Sequence, residues 1–388
     1  MSLVRRHPHL SFAAFAGWAL LMACGAGATP TAPATLTRPV ATQTPAYTRT
    51  AVPPTETAAP TASPAPTATP EPTATLEPFV PAAPYPTVVA GEPIRCSGHD
   101  LVYAPNLELT LLVNCVLEGP DFEPGPTILW GWDGETWRRV DDDGPQAQAL
   151  AGVAYDTRRA RLVMTGGRSM AEDFLDLWLW DGRGWQSSDE LPGTVSNHFS
   201  MVYDPDRDRI VMYGGQDLSQ TIQRDTWEFD GTTWTRAATT GPSLRVHYAL
   251  TYDTWRREVL LLGEGPDELW AWDGRRWSRQ GAPGPQPPTR AGGRMAFDAA
   301  RGQAVLMGGY VYGPNGYALG DTWLWNGAAW TDYTGPGPTA RSHHAMTFDP
   351  EREVVVLYGG YGGGTTILGD TWEWDGEAWR CAAGCGGD

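Results

Sequence analysis

Six stretches of this chain carry one pattern, in which Trp-x-Trp, or Trp-x-Phe in one copy, leads into Asp-Gly or Asn-Gly and a further Trp follows. They run Leu129–Trp137, Asp176–Trp185, Asp225–Trp234, Glu268–Trp277, Gly320–Trp330 and Gly369–Trp379. Of the 19 Trp in the chain, all but Trp18 and Trp255 lie in these stretches. Asp-Gly between strand formers predicts a two-residue hairpin turn, because such turns need positive φ at their central residues. With Asp230-Gly231 as the turn, Trp227 faces Trp234, and the same register sets Trp323 opposite Trp330 and Trp372 opposite Trp379. Alternation puts Trp374 on the face of Trp372. Cross-strand aromatic pairs contribute roughly 0.2–1 kcal/mol each. A face so loaded must be covered by a neighbour, so the tryptophans read as structural, not as a ligand platform.

The hairpins recur within a longer period. Aromatic anchors at Tyr103, Tyr155, Tyr203, Tyr252, Phe297 and Phe348 are spaced by 52, 48, 49, 45 and 51 residues. Eleven residues after each comes Gly166, Gly214, Gly263, Gly308 or Gly359, with Asn114 in the first copy, and apolar runs such as Val354–Tyr358 lead in. Between anchor and glycine lies Asp-x-x-Arg, as at Asp204–Arg207, which reads as a solvated type I turn. The alternating Asp204, Asp206 and Asp208 lack the Gly and Glu that a calcium loop needs. Each repeat is therefore strand A, turn, strand B, variable loop, strand C, turn, strand D. Such a sheet cannot bury its Trp face alone, whereas a ring of repeats buries every face. The expected fold is all-β, a six-bladed β-propeller of four-stranded antiparallel blades.

The apolar run into Gly-Gly followed by paired aromatics, as at Trp227 and Trp234, resembles the kelch family of β-propellers. The resemblance covers residues from about 92 to the C-terminus. It departs in the first copy, with Ala104 for Asp and Asn114-Cys115 for Gly-Gly, and in the fourth, with Gly263-Glu264-Gly265.

Residues 1–23 have the form of a targeting segment, with Arg5 and Arg6 ahead of an apolar stretch too short to span a bilayer. The stretch ends in Leu21-Met-Ala-Cys24, which resembles a bacterial lipobox and implies a lipidated Cys24 on the outer face of the cell membrane; an ordinary secretory signal is the alternative. Residues 24–90, rich in Thr, Pro and Ala, hold little to bury and read as a disordered, extended stalk before a domain at 91–388. A net charge of −17 argues against nucleic-acid or anionic-lipid partners. Cys96, Cys115, Cys381 and Cys385 should be oxidised in an exported domain. Their placement about the first A–B turn favours Cys96–Cys115 with Cys381–Cys385, over a bridge from Cys96 to either C-terminal cysteine.

Strand order puts the start of A, the end of B and the B–C loop on one rim. Arg245, Arg290 and Arg341 stand seven residues before their anchors, and His198, His247 and His343 stand two residues nearer. Asp225, Asp321 and Asp370 at the start of C are acidic partners for those Arg, and bracing of neighbouring blades is favoured over a polar ring open to ligand. A metal on the histidines would require three separate blades to aim them together, so neither metal nor other cofactor is expected. The fifth and sixth B–C loops are long and carry Tyr310, Tyr312, Tyr317 and Tyr361. Variable loops on a rigid scaffold are where binding resides, and Tyr suits sugar or peptide contacts. These Tyr and the three Arg are the candidate ligand contacts. The expected protein is a monomeric, surface-anchored, non-catalytic binding or scaffold module for an extracellular glycan or protein. The alternative is a carbohydrate-active enzyme at the same rim, either a sugar epimerase or an oxidase like galactose oxidase. The kelch resemblance implies for the latter a copper site with Tyr and His ligands and a Tyr–Cys cross-link, and no residue here maps onto that motif.

Overall fold

A computed structural model describes residues 91, 93, 95–115, 125–168, 173–188, 195–243, 247–265, 268–313, 316–363 and 366–385. The targeting segment, Cys24, the stalk and Arg245 lie outside them. Every regular element described is a β-strand, and six antiparallel sheets of four strands follow chain order. Their first strands are Asp100–Ala104, Gly152–Asp156, Ser200–Asp204, Ala249–Asp253, Arg294–Asp298 and Ala345–Asp349. Each of these A strands packs beside the A strands before and after it, and the last returns to the first. The molecule is a six-bladed β-propeller with strand A innermost. The core is correspondingly divided, since the apolar clusters each span the interface of two neighbouring blades, the sixth against the first included. Strand B lies between two such interfaces, which is why Leu109–Val113 is buried along its whole length.

The C–D hairpins differ from the sequence expectation in register. Phe229 pairs with Trp234, Trp325 with Trp330 and Trp374 with Trp379, whereas Trp227 faces Arg236 and Trp372 faces Cys381. Asp230 precedes the turn, and its Oδ1 accepts the backbone N–H of Thr232 and of Thr233, both at 2.8 Å. Of the two central residues only Gly231 has positive φ, at 95°, the pattern of a type II′ turn. The facing pairs are therefore the second and third aromatics of each hairpin, with ring centroids 5.0–5.7 Å apart in five of them.

Side chains on either side of the first strand-C aromatic stitch blade 6 to blade 1, blade 3 to blade 4 and blade 5 to blade 6. Thr371 Oγ accepts the Trp137 indole at 2.8 Å, Thr226 that of Trp277 at 2.8 Å and Thr322 that of Trp379 at 3.0 Å. Likewise Glu373 accepts the Trp132 indole at 2.8 Å and Glu228 that of Trp272 at 2.9 Å. The A–B turns are tighter than a solvated turn. Asp156, Asp204, Asp253, Asp298 and Asp349 are 0–2% exposed, and each holds the Arg three residues on. Those Arg lie against the Asp-Gly or Asn-Gly turn of the following blade, at Gly231, Gly274, Gly327, Gly376 and Gly134.

Each blade is built from contiguous sequence, so the ring closes without exchanging a strand. Cys96 carries the closure: its N–H donates to Leu368 O at 3.3 Å and its carbonyl accepts from Gly360 N at 2.9 Å, both in blade 6. The Cys96–Cys115 disulfide ties that residue back to blade 1, and Cys381–Cys385 is the second bridge. Both pairings match the favoured expectation.

Candidate functional site

The rim at the start of strand A is built by the Gly-Gly pairs. Gly308 and Gly359 have φ of 65° and 61°, and a Cβ would stand 2.4 Å from the Arg341 carbonyl oxygen and 2.8 Å from that of Cys96. Glycine is required both for the left-handed backbone and for the approach of the next blade. In the first copy Asn114 takes the same conformation, with φ 57°.

Arg290 and Arg341 brace their own blades and not neighbouring ones as expected, because each reaches the Asp that opens strand C of the same sheet. Arg341 forms a two-point ion pair with Asp370 at 2.7 and 2.8 Å, and donates further to Gly359 O at 2.9 Å and Thr339 O at 3.0 Å. Arg290 pairs with Asp321 at 2.9 and 2.7 Å and reaches Gly308 O at 2.8 Å. The same carboxylates accept the indoles of Trp323 and Trp372, each at 2.7 Å. One Asp thus fixes the start of A, the end of B and the first Trp of C. Asp225 opens strand C of blade 3, where Ser196 stands in place of the Arg, and is held instead by Arg236 at 3.3 Å.

The three histidines do converge. Gly98, Leu150, His198, His247, Gly292 and His343 occupy one column position, and all have φ between 54° and 68°. Gly98 N donates to His343 O at 2.9 Å, Leu150 N to Gly98 O at 3.2 Å and His198 N to Leu150 O at 3.3 Å. Gly292 N donates to His247 O at 2.8 Å and His343 N to Gly292 O at 2.8 Å. The left-handed turn at each position aims its amide around the axis, so the A strands are joined at one end by a collar of backbone hydrogen bonds. A Cβ on Gly292 would stand 2.8 Å from His343 Cε1, so this glycine lets His343 reach across blade 5 to His247. Ring centroids are 4.7 Å apart for that pair and 4.8 Å for His198–His247, and His343 Nε2 lies 3.3 Å from His247 Nδ1. Burial holds His198 and His343 down to about 4 and His247 well below its usual value, so the cluster is neutral at pH 7. Among the described residues no group of three or more His, Cys, Asp or Glu has a geometry that could hold a metal ion.

Behind the collar, two residues further along strand A, the sequence reading had singled out nothing. That layer holds Asp100, Gly152, Ser200, Ala249, Arg294 and Ala345. Burial pushes Asp100 up to about 6 and lowers Arg294, and the two charges act on each other. His99 and His344, one residue nearer the collar, are fully buried; burial takes His99 down to about 3. The signal that would have found Arg294 and Asp100 is the anchor column itself, where they are charged residues among small ones.

The B–C loops of blades 5 and 6 stand out as longer hairpins, with Gln303–Val311 paired to Tyr317–Trp325 and Val354–Tyr361 paired to Ile367–Trp374. Tyr310 exchanges backbone hydrogen bonds with Ala291, and Tyr361 with Ser342, which docks each hairpin on the start of its own strand A. Tyr312 and Tyr317 are 59% and 58% exposed at the fifth hairpin's end, and Tyr310 packs edge-on against Tyr312 at 5.6 Å. All four described cysteines are in disulfides, so none is free for a Tyr–Cys cross-link.

No family model matches the chain, and no curated protein matches it. Among solved structures it is similar to one titled "Structure of YjhT", at 12% sequence identity and a TM-score of 0.57 over 73% of this chain and 95% of that one. At that identity the likeness concerns the fold alone, and the fold it supports is the β-propeller built above.

Proposed function

We propose that this chain is a surface-anchored, non-catalytic binding module of kelch type, whose B–C rim engages an extracellular glycan or protein. The observation that carries the reading is where exposed large apolar side chains fall. Leu218, Ile222, Tyr312 and Tyr317 all stand on B–C loops, and among the described residues only Trp255 stands at the other end. Rigid blades carrying apolar and aromatic groups at the tips of extended hairpins suit recognition of a sugar face or a peptide. The lipobox at Cys24 and the Thr/Pro stalk fit a domain held outside the membrane. The test is binding of the purified protein to glycan arrays and envelope proteins, beside a Tyr312→Ala/Tyr317→Ala variant. At least a tenfold loss in the variant is expected; unchanged binding would move the site elsewhere. Palmitate labelling of cells, abolished by Cys24→Ser, tests the anchor.

A further inference from the structure

The axial layer behind the histidine collar combines features that the rim does not use. Arg294 is placed there by the innermost strand of blade 5, and among the described residues its guanidinium has no carboxylate within ion-pair distance and no hydrogen-bond acceptor. The Arg of the A–B turns that pack against a blade interface have an acidic or carbonyl partner, as Arg159, Arg207, Arg256, Arg301 and Arg352 show. Level with Arg294 on the other A strands stand Gly152, Ser200, Ala249 and Ala345, none with a charge to offer it. Arg294 and Asp100 each keep some exposed surface. Asp100, two blades away across Ala345, is too far to neutralise Arg294 directly, yet close enough for each to feel the other's charge. A cation in a narrow, poorly solvated channel is costly unless an anion meets it.

We propose that the axial channel is a binding site for a small carboxylate, its two oxygens on the Arg294 guanidinium beneath the histidine collar. The planar guanidinium fork matches two carboxylate oxygens, and Arg294 keeps the exposed surface that a ligand needs to reach it. The rings of His99, His247, His343 and His344 and the Tyr248 hydroxyl also stand near enough to feel the charge of Arg294. Asp100 in the same layer opposes multiply charged anions, so the class is a monoanion. This site is separate from the Tyr-bearing hairpins and stands whether or not they bind a glycan.

Acetate is the probe, titrated into the intact protein by isothermal calorimetry at pH 7 and constant ionic strength, with chloride and sulfate as comparison anions. Saturable acetate binding is expected, with sulfate weaker and chloride silent. Arg294→Met should weaken acetate at least tenfold, and Asp100→Asn should tighten it several-fold by removing the repulsion. An acetate response no larger than that of chloride overturns the proposal, as does an unchanged affinity in Arg294→Met. Should Arg294→Met fail to fold, Asp100→Asn decides: affinity equal to or weaker than that of the unmodified protein overturns the site.

Discussion

Replacing Arg341 by Met would show whether the rim arginines brace the blade or wait for a ligand. The Arg341 side chain is 0% exposed and Asp370 is 11% exposed, so the pair is shielded on both sides. Removing the guanidinium leaves Asp370 with the Trp372 indole as its remaining side-chain donor and takes a donor from the Gly359 carbonyl. Breaking a buried pair by deleting one partner costs about 3–5 kcal/mol. An orphaned buried carbonyl costs about 1–3 kcal/mol, and because the two losses share one site the sum is set at about 4–6 kcal/mol. Adding Asp370→Asn removes the stranded charge and should restore about 2 kcal/mol of that loss. Arg380→Met is the control, since Arg380 is 76% exposed and its pair with Asp375 should be worth about 0–1 kcal/mol. Urea unfolding followed by tryptophan fluorescence measures each change as a shift in midpoint at constant m. A loss under about 1 kcal/mol in Arg341→Met would refute the bracing argument, because a properly buried pair cannot be removed so cheaply.

Three further outcomes follow from the contacts between blades. Trp374 has a buried indole N–H with no acceptor, and Leu324 occupies the position where Glu228 and Glu373 serve the next blade, so Leu324→Glu should stabilise by about 1 kcal/mol; a lower urea midpoint would count against the stitching rule. The Cys96–Cys115 bridge spans 19 residues, so Cys96→Ala/Cys115→Ala should cost about 3 kcal/mol, and a calorimetric melt unchanged from the native one would show that the closing residue needs no tether. His99, His198 and His343 are held down to about 3, 4 and 4, so the folded state resists protons that the unfolded chain takes up near 6.5. Their stability contribution is full above pH 6.5 and falls as pH drops towards 4, by about 1.4 kcal/mol per pH unit for each group. Asp100, raised to about 6, runs the opposite way between pH 6 and 3.8 and offsets one of them, so urea midpoints at pH 7, 6 and 5 should fall steadily; a flat profile would contradict the burial of the cluster.

The period of the chain, its blade count, the strand order and both disulfides were legible in the residues. These features depend on short-range constraints, namely alternation, turn chemistry and apolar runs that stop at glycine. The Arg–Asp columns also pointed to pairing, because Arg290 and Arg341 stand seven residues before their anchors and Asp321 and Asp370 two residues before the first Trp of strand C. The register of the C–D hairpins was not legible. Asp-Gly is compatible with Asp inside the turn or before it, and Asp230 was placed outside by its side chain accepting the amides of Thr232 and Thr233. That shift moved the buried pair from Trp372–Trp379 to Trp374–Trp379.

The axis was decided by tertiary structure alone. It is assembled from six strand starts about 50 residues apart, so no stretch of sequence contains it. His198, His247 and His343 meet because the ring closes and because Gly292 leaves room for His343 to cross blade 5. Arg294 stands without an ion pair because the groups brought around it by the other blades are imidazoles and a phenol, with Asp100 the one carboxylate that acts on it. The local pattern determined what each blade is, since strands and turns are set by neighbours along the chain. What lies between the blades was set only when the chain returned to its own beginning, and that is where the polar groups with work still unassigned are found.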